Sequence, residues 1–216
     1  MKKLKLYDST LTPSLLNVID ALMASTVFEK FRLVGGTALS LQRGHRISVD
    51  VDLFTDEEYG TMDFETIDIF LKNNWDYVDS IPSIPIAFGK SYFMGSSADD
   101  CVKLDLYYTD TFIRKQILID GFRLASIEEI IAMKMDVILR GWRKKDFWDL
   151  HELSDDYSFE QMAELHKMRY PYLHDREKLF RQFTNFKSAD NDFDPICLLG
   201  KHWELIKLDM IRFVSN

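Results

Sequence analysis

The stretch of sequence that decides the fold, residues 33–54, reads LVGGTALSLQRGHRISVDVDLF. Near its end two acids alternate with apolar residues, and successive side chains of a strand point to opposite faces. Asp50 and Asp52 should therefore emerge together, while Val49 and the apolar residues after it face a core. Two carboxylates this close repel each other, and a hard divalent cation such as Mg²⁺ or Mn²⁺ relieves that repulsion. The pattern predicts a metal-binding strand; in the alternative interpretation both acids lie on the solvent face of an edge strand.

A glycine pair precedes this strand. Gly35 and Gly36 lie between a short apolar strand, predicted over residues 31–35, and a short helix predicted over residues 37–42. Glycine lets the backbone come close to a ligand, and the free N–H groups at a helix start favour negative charge. We therefore expect a phosphate to bind at Gly35, Gly36 and Thr37, near the predicted metal.

A third acid completes the predicted site. Asp105 lies in an apolar–acid–apolar segment, residues 101–108, that has strand character. In a sheet beside Asp50 and Asp52 it would supply the third carboxylate of a two-metal site, in which ions roughly 4 Å apart activate a hydroxyl and neutralise a leaving pyrophosphate. On its own, Asp105 would be an ordinary exposed strand residue. Together the three acids predict metal ligands that catalyse nucleotidyl transfer.

A lysine interrupts the apolar face of a later predicted helix. The sequence SIEE at residues 126–129 is typical of a capping box, and apolar residues then recur at helical spacing on both sides of Lys134. A lysine on an inward face costs free energy unless it meets a carboxylate or phosphate, although its long stem can also reach water. Asp146 is either the partner that orients Lys134 or an acid that stabilises the first turn of its own helix.

Two polar residues lie just ahead of the acid strand. Arg46 is placed to grip a phosphate with its guanidinium, and Ser48 shares the face of Asp50 and Asp52, where it would add a hydroxyl. Considered singly, both residues are ordinary. Their assignment to the phosphates of a nucleotide is implied by the family resemblance given below.

The order of predicted elements indicates an α+β protein, in which a mixed α/β lobe is followed by an α-helical lobe. With 216 residues and 46% hydrophobic content, the chain is long enough for a full core. Strand signals end with a hairpin at Asp120 and Gly121. We predict a boundary between residues 1–124 and 125–216, with the active site in the cleft between the lobes. The predicted helices lie near residues 13–28, 64–73, 126–141, 144–154, 158–168, 175–186 and 199–213.

Composition argues against several other classes of protein. The five histidines and two cysteines show no spacing typical of a zinc site. No apolar run approaches the roughly 18 residues of a membrane span, and no signal segment follows the basic N-terminus. We therefore expect a cytoplasmic protein in a reducing compartment, with no membrane partner.

These motifs together resemble a known group of enzymes. The glycine pair Gly35 and Gly36, the acid strand and the later apolar–acid–apolar strand are similar to the signature of the DNA polymerase β-like nucleotidyltransferase superfamily. The closer resemblance is to its AbiEii/AbiGii branch of abortive-infection toxins, and it runs from about residue 30 to residue 153. It implies a nucleotidyltransferase fold in which Lys134 binds the triphosphate of the incoming NTP, with Asp146 near it. The segments that carry this resemblance are residues 33–39, 45–54, 132–134 and 145–150.

The resemblance also implies an acceptor and a partner. Members of this branch would transfer a nucleoside monophosphate to RNA, such as tRNA, and would be neutralised by a cognate antitoxin protein. A net charge of −8 gives no overall attraction to a polyanion. The alternatives are a small hydroxylated acceptor, as in aminoglycoside nucleotidyltransferases, and a nucleotide-binding module without catalysis. A local basic patch would favour RNA, and its candidates are Arg140, Arg143, Lys144, Lys145, Lys167, Arg169, Arg176 and Lys178, with Tyr170 and Tyr172 among them.

Overall fold

A computed structural model describes the chain over residues 5–82, 88–141 and 143–215. The first four residues of the basic N-terminus and residues 83–87 of the predicted β-rich region lie outside this part. The described strands are β1 (Arg32–Leu33), β2 (Asp50–Thr55), β3 (Tyr77–Pro82), β4 (Gly89–Ser97), β5 (Asp100–Tyr108), β6 (Ile117–Ile119) and β7 (Phe122–Leu124). The described α-helices are α1 (Pro13–Ala24), α2 (Gly35–Arg43), α3 (Phe64–Asn74), α4 (Ile127–Arg140), α5 (Lys144–Leu153), α6 (Phe159–Arg169), α7 (Arg176–Phe183) and α8 (Trp203–Ser215).

The strands form one mixed sheet in the order β3-β4-β5-β2-β1-β7-β6. β2 lies near its centre, parallel to β5 and antiparallel to β1. This pairing sets Asp52 directly opposite Asp105, and Asp50 opposite Lys103. The α+β expectation is therefore confirmed, with every described strand before residue 125 and a run of helices after it. Buried apolar residues of both halves form one cluster, and the division into lobes at residue 124 stays a prediction.

Local signals in the sequence account for several boundaries. Asp120 and Gly121 have φ angles of 48° and 90° and form the expected two-residue hairpin turn between β6 and β7. The hydroxyl of Ser126 accepts a hydrogen bond of 3.2 Å from the Glu129 amide at the start of α4. The side chain of Glu129 does not complete the predicted capping box, because it pairs inside the protein with Arg169.

The prediction that Val49 faces the core is wrong. β2 begins only at Asp50, where pairing with β5 starts, and Val49 is 59% exposed. Val51 and Leu53, which lie inside the paired strand, are fully buried as expected. Ser48, the residue before Val49, forms an isolated β-bridge with Leu11 instead of joining the sheet. The alternation of buried and exposed side chains therefore begins one residue later than the sequence suggested.

Two long-range connections bring later parts of the chain to β2. Helix α4 packs against α2, α5, α6 and α7. The face of α4 that carries Lys134 therefore lies next to the glycine turn. Farther on, the segment before α8 pairs with the segment before β2. There the Ile47 amide donates to the Ile196 carbonyl and the Leu198 amide to the His45 carbonyl, each at 2.9 Å. In the described residues, no helix has the length and apolar character to span a membrane.

Candidate active site

The three predicted acids lie side by side, and two of them are held by lysines. Asp105 accepts hydrogen bonds from Ser91 Oγ at 2.6 Å and from Lys103 Nζ at 2.5 Å. Asp50 Oδ2 lies 3.3 Å from Lys145 Nζ. Asp52 lies between these two acids, and no described residue donates a hydrogen bond to its carboxylate. The strand register thus produces the acid set that the sequence predicted, with its central member uncompensated.

The surroundings of Asp52 change its protonation. Burial, together with the nearby charges of Asp105 and Asp50, raises the pKa of Asp52 to about 6 from an ordinary value of 3.8. Lys134 and Lys145 oppose this change only in part. The carboxylate of Asp52 is therefore costly to ionise in the protein alone, and a cation at this position would lower that cost.

Helix α2 begins at the glycine pair, so both glycines belong to its first turn instead of preceding it. Gly35 has a φ of 66°, and a Cβ atom there would lie 2.6 Å from Asp52 Oδ2. The Val34 amide donates to the backbone carbonyl of Asp52 at 2.9 Å. No side-chain cap is present at Val34, so within the described part of the chain the first N–H groups of α2 are available to an anion.

The predicted phosphate ligands Thr37 and Ser48 are buried, and they bond to each other. Their hydroxyl oxygens lie 2.7 Å apart, and the Thr37 hydroxyl also donates to the carbonyl of Asp50 at 2.5 Å. These bonds tie the first turn of α2 to the residues that lead into β2. Because both hydroxyls are already used, their evident role in this structure is to fix the position of the acid strand.

A buried group of charges, here called the charged cluster, lies behind the glycine turn and consists of His45, Arg46, Lys134, Asp146 and Asp149. Lys134 Nζ contacts Asp146 Oδ1 at 2.6 Å and Asp149 Oδ2 at 2.7 Å. Arg46 pairs with Asp149 through Nε at 2.6 Å and Nη2 at 2.9 Å, and His45 Nε2 donates to Asp149 at 2.8 Å. Lys134 thus meets carboxylates in the interior, and its stem does not carry the charge out to water.

Each member of the charged cluster depends on its partners. Burial opposes the charge of Asp149, but Arg46 and Lys134 hold the pKa of this carboxyl well below its usual range. Burial likewise opposes the charge of Lys134, and Asp146 and Asp149 raise its pKa. Asp146 also accepts a hydrogen bond of 3.1 Å from the Arg143 amide, so it serves both as the partner of Lys134 and as a stabiliser of the first turn of α5.

Sequence reasoning did not select Asp149, although it is the centre of this cluster. A signal was present: Asp149 follows Asp146 by three residues, which places both on one face of a helix, and it lies between the apolar residues Trp148 and Leu150. An acid on the buried stripe of a helix needs a cation. Its cation Arg46 lies 103 positions away, and the sequence does not reveal that pairing.

One pocket of about 210 Å³ gathers most of the predicted site residues. It opens between the first turn of α2, the acid strand β2 and the facing sides of α4 and α5. Asp105 lies next to it, paired with Asp52 on the neighbouring strand. The pocket is lined by Val34, Gly35, Gly36, Thr37, Arg46, Ser48, Asp50, Asp52, Phe54, Met133, Lys134, Val137, Arg143, Lys145 and Asp146.

These residues suit divalent cations in two respects, namely the chemistry of their donor atoms and the strand register that brings the acids together. Carboxylate oxygens are the ligands that Mg²⁺ and Mn²⁺ prefer, and Asp52 carries an uncompensated charge between two further acids. As the side chains lie, no three His, Cys, Asp or Glu residues in the described ranges are grouped closely enough to hold a metal ion. Asp105 and Asp50 contact Lys103 and Lys145 instead. A cation held by both acids would compete with these lysines for the same carboxylate oxygens.

The predicted basic patch is weaker in the structure than in the sequence. Lys144 and Arg169 are buried and pair with Asp194 and Glu129. Arg140 pairs with Asp136, and Arg176 pairs with Glu160. Basic residues in a run often find acids within the same fold, which charge counting along the sequence cannot show. Arg143 and Lys145 are the members of the patch that line the pocket.

Comparison with known proteins supports the family that the motifs suggested. The family model described as "Nucleotidyl transferase AbiEii toxin, Type IV TA system" matches residues 17–216. A search of curated proteins found no significant match.

Solved structures show the same fold at low sequence identity. JHP933 from Helicobacter pylori is 19% identical over 95% of this chain and 92% of its own, with a TM-score of 0.54. MenT4, a nucleotidyltransferase toxin from Mycobacterium tuberculosis, is 13% identical over 94% of this chain and 83% of its own, with a TM-score of 0.54. Because the family model spans nearly the whole chain, the protein belongs to the AbiEii family of nucleotidyltransferase toxins of type IV toxin–antitoxin systems.

Proposed function

We propose that this protein transfers a nucleoside monophosphate from an NTP to a hydroxyl group of RNA, such as tRNA, with the help of two Mg²⁺ ions that Mn²⁺ can replace. The observation that carries the proposal is the uncompensated Asp52, held between Asp50 and Asp105 beside a free helix start. Family membership further implies a cognate antitoxin. We place the reaction in the cytoplasm.

In the proposed reaction the acceptor hydroxyl attacks the α-phosphorus of the NTP. A new P–O bond forms, the bond to the bridging oxygen breaks, and pyrophosphate leaves. Asp50, Asp52 and Asp105 would hold the two ions, which supply charge neutralisation and polarise the reacting oxygens. Asp105 takes the proton of the attacking hydroxyl. Catalysis by the protein is then chiefly positioning and electrostatic stabilisation.

The start of α2 and Lys134 would hold the triphosphate. The free N–H groups of Gly35, Gly36 and Thr37 face it from the start of α2, and Lys134 approaches it from α4. Arg46 lines the same pocket, but its Nε and Nη2 groups bind Asp149. We therefore assign Arg46 mainly to positioning Lys134 and the glycine turn. Asp146 and Asp149 would hold the charged side chains of Arg46 and Lys134 in place.

Label transfer tests this proposal directly. Purified protein is incubated with Mg²⁺, total tRNA and each of the four α-³²P-labelled NTPs, beside its Asp52→Asn variant. Label should reach RNA with the wild-type protein and should be lost with Asp52→Asn, because the variant removes the central ligand. Asp20→Asn, which changes an exposed acid of α1, is the matched control and should retain full transfer. Near-normal transfer by Asp52→Asn would contradict the metal assignment.

A small cationic acceptor is the second candidate, and the charge of the protein favours it. The net charge is −8, and several residues of the expected basic patch are engaged with acids. If RNA is the acceptor, its affinity should fall steeply as salt rises, because basic contacts release counterions. Mg²⁺-dependent binding of NTP without labelled RNA would move the assignment to a small hydroxylated molecule, such as an aminoglycoside, or to a module that binds nucleotide without catalysis.

A further inference from the structure

Two lysines occupy the acids that the proposed metal ions require. Lys103 donates to Asp105 at 2.5 Å, and Lys145 approaches Asp50 at 3.3 Å. Neither lysine belongs to the charged cluster, whose cations already have their own acids. In the protein without ligands, each of the two outer acids therefore contacts a lysine ammonium group. The central acid, Asp52, has no such contact.

The two lysines differ in what else they can reach. Lys103 lies on β5, opposite Asp50 in the sheet, and 40% of its side chain is exposed. Lys145 lies in the first turn of α5, 28% of its side chain is exposed, and it lines the pocket together with the start of α2. Of the two lysines, only Lys145 therefore lies close both to one of the three acids and to the proposed position of the triphosphate.

The pocket needs such a cation. In the charged cluster the charges of Arg46 and Lys134 are matched by those of Asp146 and Asp149, so the cluster offers little net attraction to a triphosphate. Asp50 and Asp52 add negative charge beside it. The cations that line the pocket outside the cluster, Arg143 and Lys145, would therefore add net positive charge for a triphosphate beside Lys134 and the helix start.

We propose that Lys103 and Lys145 are built-in counterions that compete with divalent cations for Asp105 and Asp50, and that Lys145 turns to the triphosphate once its acid is released. The inference rests on the proposed function. It has a direct consequence: a cation alone must displace two ammonium groups, whereas a cation bound to NTP brings the phosphate that receives Lys145. Metal and nucleotide should therefore bind more tightly together than separately.

The two lysines can be distinguished by experiment, because the proposal predicts that only Lys145 contributes to nucleotide affinity. Mn²⁺ affinity is measured by electron paramagnetic resonance without nucleotide, for the wild-type protein, Lys103→Met and Lys145→Met. Both variants should bind Mn²⁺ about five-fold more tightly, as expected for the loss of one partly exposed competing charge. The affinity for an α,β-methylene NTP with Mn²⁺ should fall about ten-fold in Lys145→Met and should not fall in Lys103→Met.

Controls keep the outcomes distinct. Lys167→Met removes an exposed lysine of α6 and should change neither affinity, whereas Lys145→Arg should keep most of the nucleotide affinity. If the wild-type protein binds neither Mn²⁺ nor the analogue, the proposed function itself fails. If it binds both while the two methionine variants bind Mn²⁺ no better, competition is disproved. If Lys145→Met binds the analogue as well as Lys103→Met does, the turn of Lys145 to the triphosphate is disproved.

Discussion

Asp149 is the residue on which the charged cluster depends, because among the described residues it alone contacts His45, Arg46 and Lys134. Asp149→Asn would leave two buried cations with Asp146 as their remaining acid. Removal of one partner from a buried ionic network costs about 3–5 kcal/mol. We expect urea denaturation to show a loss of that size. Asp156→Asn breaks an exposed pair with Arg43 and should cost no more than about 1 kcal/mol; a similar loss in both variants would contradict the central role of Asp149.

Asp52 should make the metal-free protein depend on pH. Its folded pKa of about 6 lies above the ordinary value of 3.8, so the folded state is penalised as pH rises between these two values. In EDTA, Asp52→Asn should raise the melting temperature at pH 7.5. The gain should shrink as pH falls and should be nearly absent at about pH 3, below both pKa values, where Asp52 is mostly protonated in both states. A gain that is equal at both pH values would show that Asp52 is not costly to ionise.

At the level of single residues, the sequence was a good guide to chemistry that repeats locally. Asp50 and Asp52 share a face because they are two residues apart in a strand, and Lys134 lies on the inward side of α4 because apolar residues flank it at helical spacing. Asp149 could not be ranked above other acids, because its importance comes from Arg46, which folding brings from a distant segment. The engagement of Lys145 with Asp50, 95 positions away, likewise becomes visible only in the folded chain.

The start of α2 is the element that joins the acids to the charged cluster. A Cβ atom at Gly35 would lie 2.6 Å from Asp52 Oδ2, and Gly35 also has a positive φ. Gly35→Ala should therefore displace the carboxylate as well as strain the backbone. We expect nucleotidyl transfer to fall on the order of 100-fold, as for other small displacements of catalytic groups.

Gly121→Ala is the matched control for this change. Gly121 also has a positive φ, but a Cβ atom there would meet nothing within 4 Å. Both substitutions should cost about 1 kcal/mol in unfolding free energy through backbone strain. Only Gly35→Ala should lose transfer activity, and equal activities in the two variants would contradict a role for the close approach of Gly35 to Asp52.

Element types were predicted more accurately than their edges. The hairpin at Asp120 and Gly121 and the helices after residue 125 have strong local signals, namely turn residues and apolar periodicity. The start of β2 is set by pairing with β5, which the local sequence does not report, so Val49 was placed on the wrong side of that boundary. The engagement of Glu129 with Arg169 is another tertiary contact that overrides a local pattern.

The molecule as a whole is braced by α8, which packs behind α5. Trp203 is 6% exposed, and its ring stacks on that of Trp148 with centroids 6.2 Å apart. Trp203→Ala should cost about 3–5 kcal/mol in unfolding free energy, as is typical for a large aromatic removed from a core. Leu208→Ala, on an exposed part of the same helix, should change it by less than about 0.5 kcal/mol. Equal losses in thermal denaturation would show that α8 is not anchored through its tryptophan.

The pairing of Ile196 and Leu198 with the segment that carries Arg46 also has a genetic consequence. A toxin imposes a strong selection on the cells that express it, and here residues 196–198 support the segment that carries Arg46. Among survivors of expression, nonsense and frameshift alleles in the codons just before α8 should therefore be as common as missense alleles at Asp52. Loss of the support that residues 196–198 give to the segment carrying Arg46 would then be a frequent route by which a population escapes its own toxin.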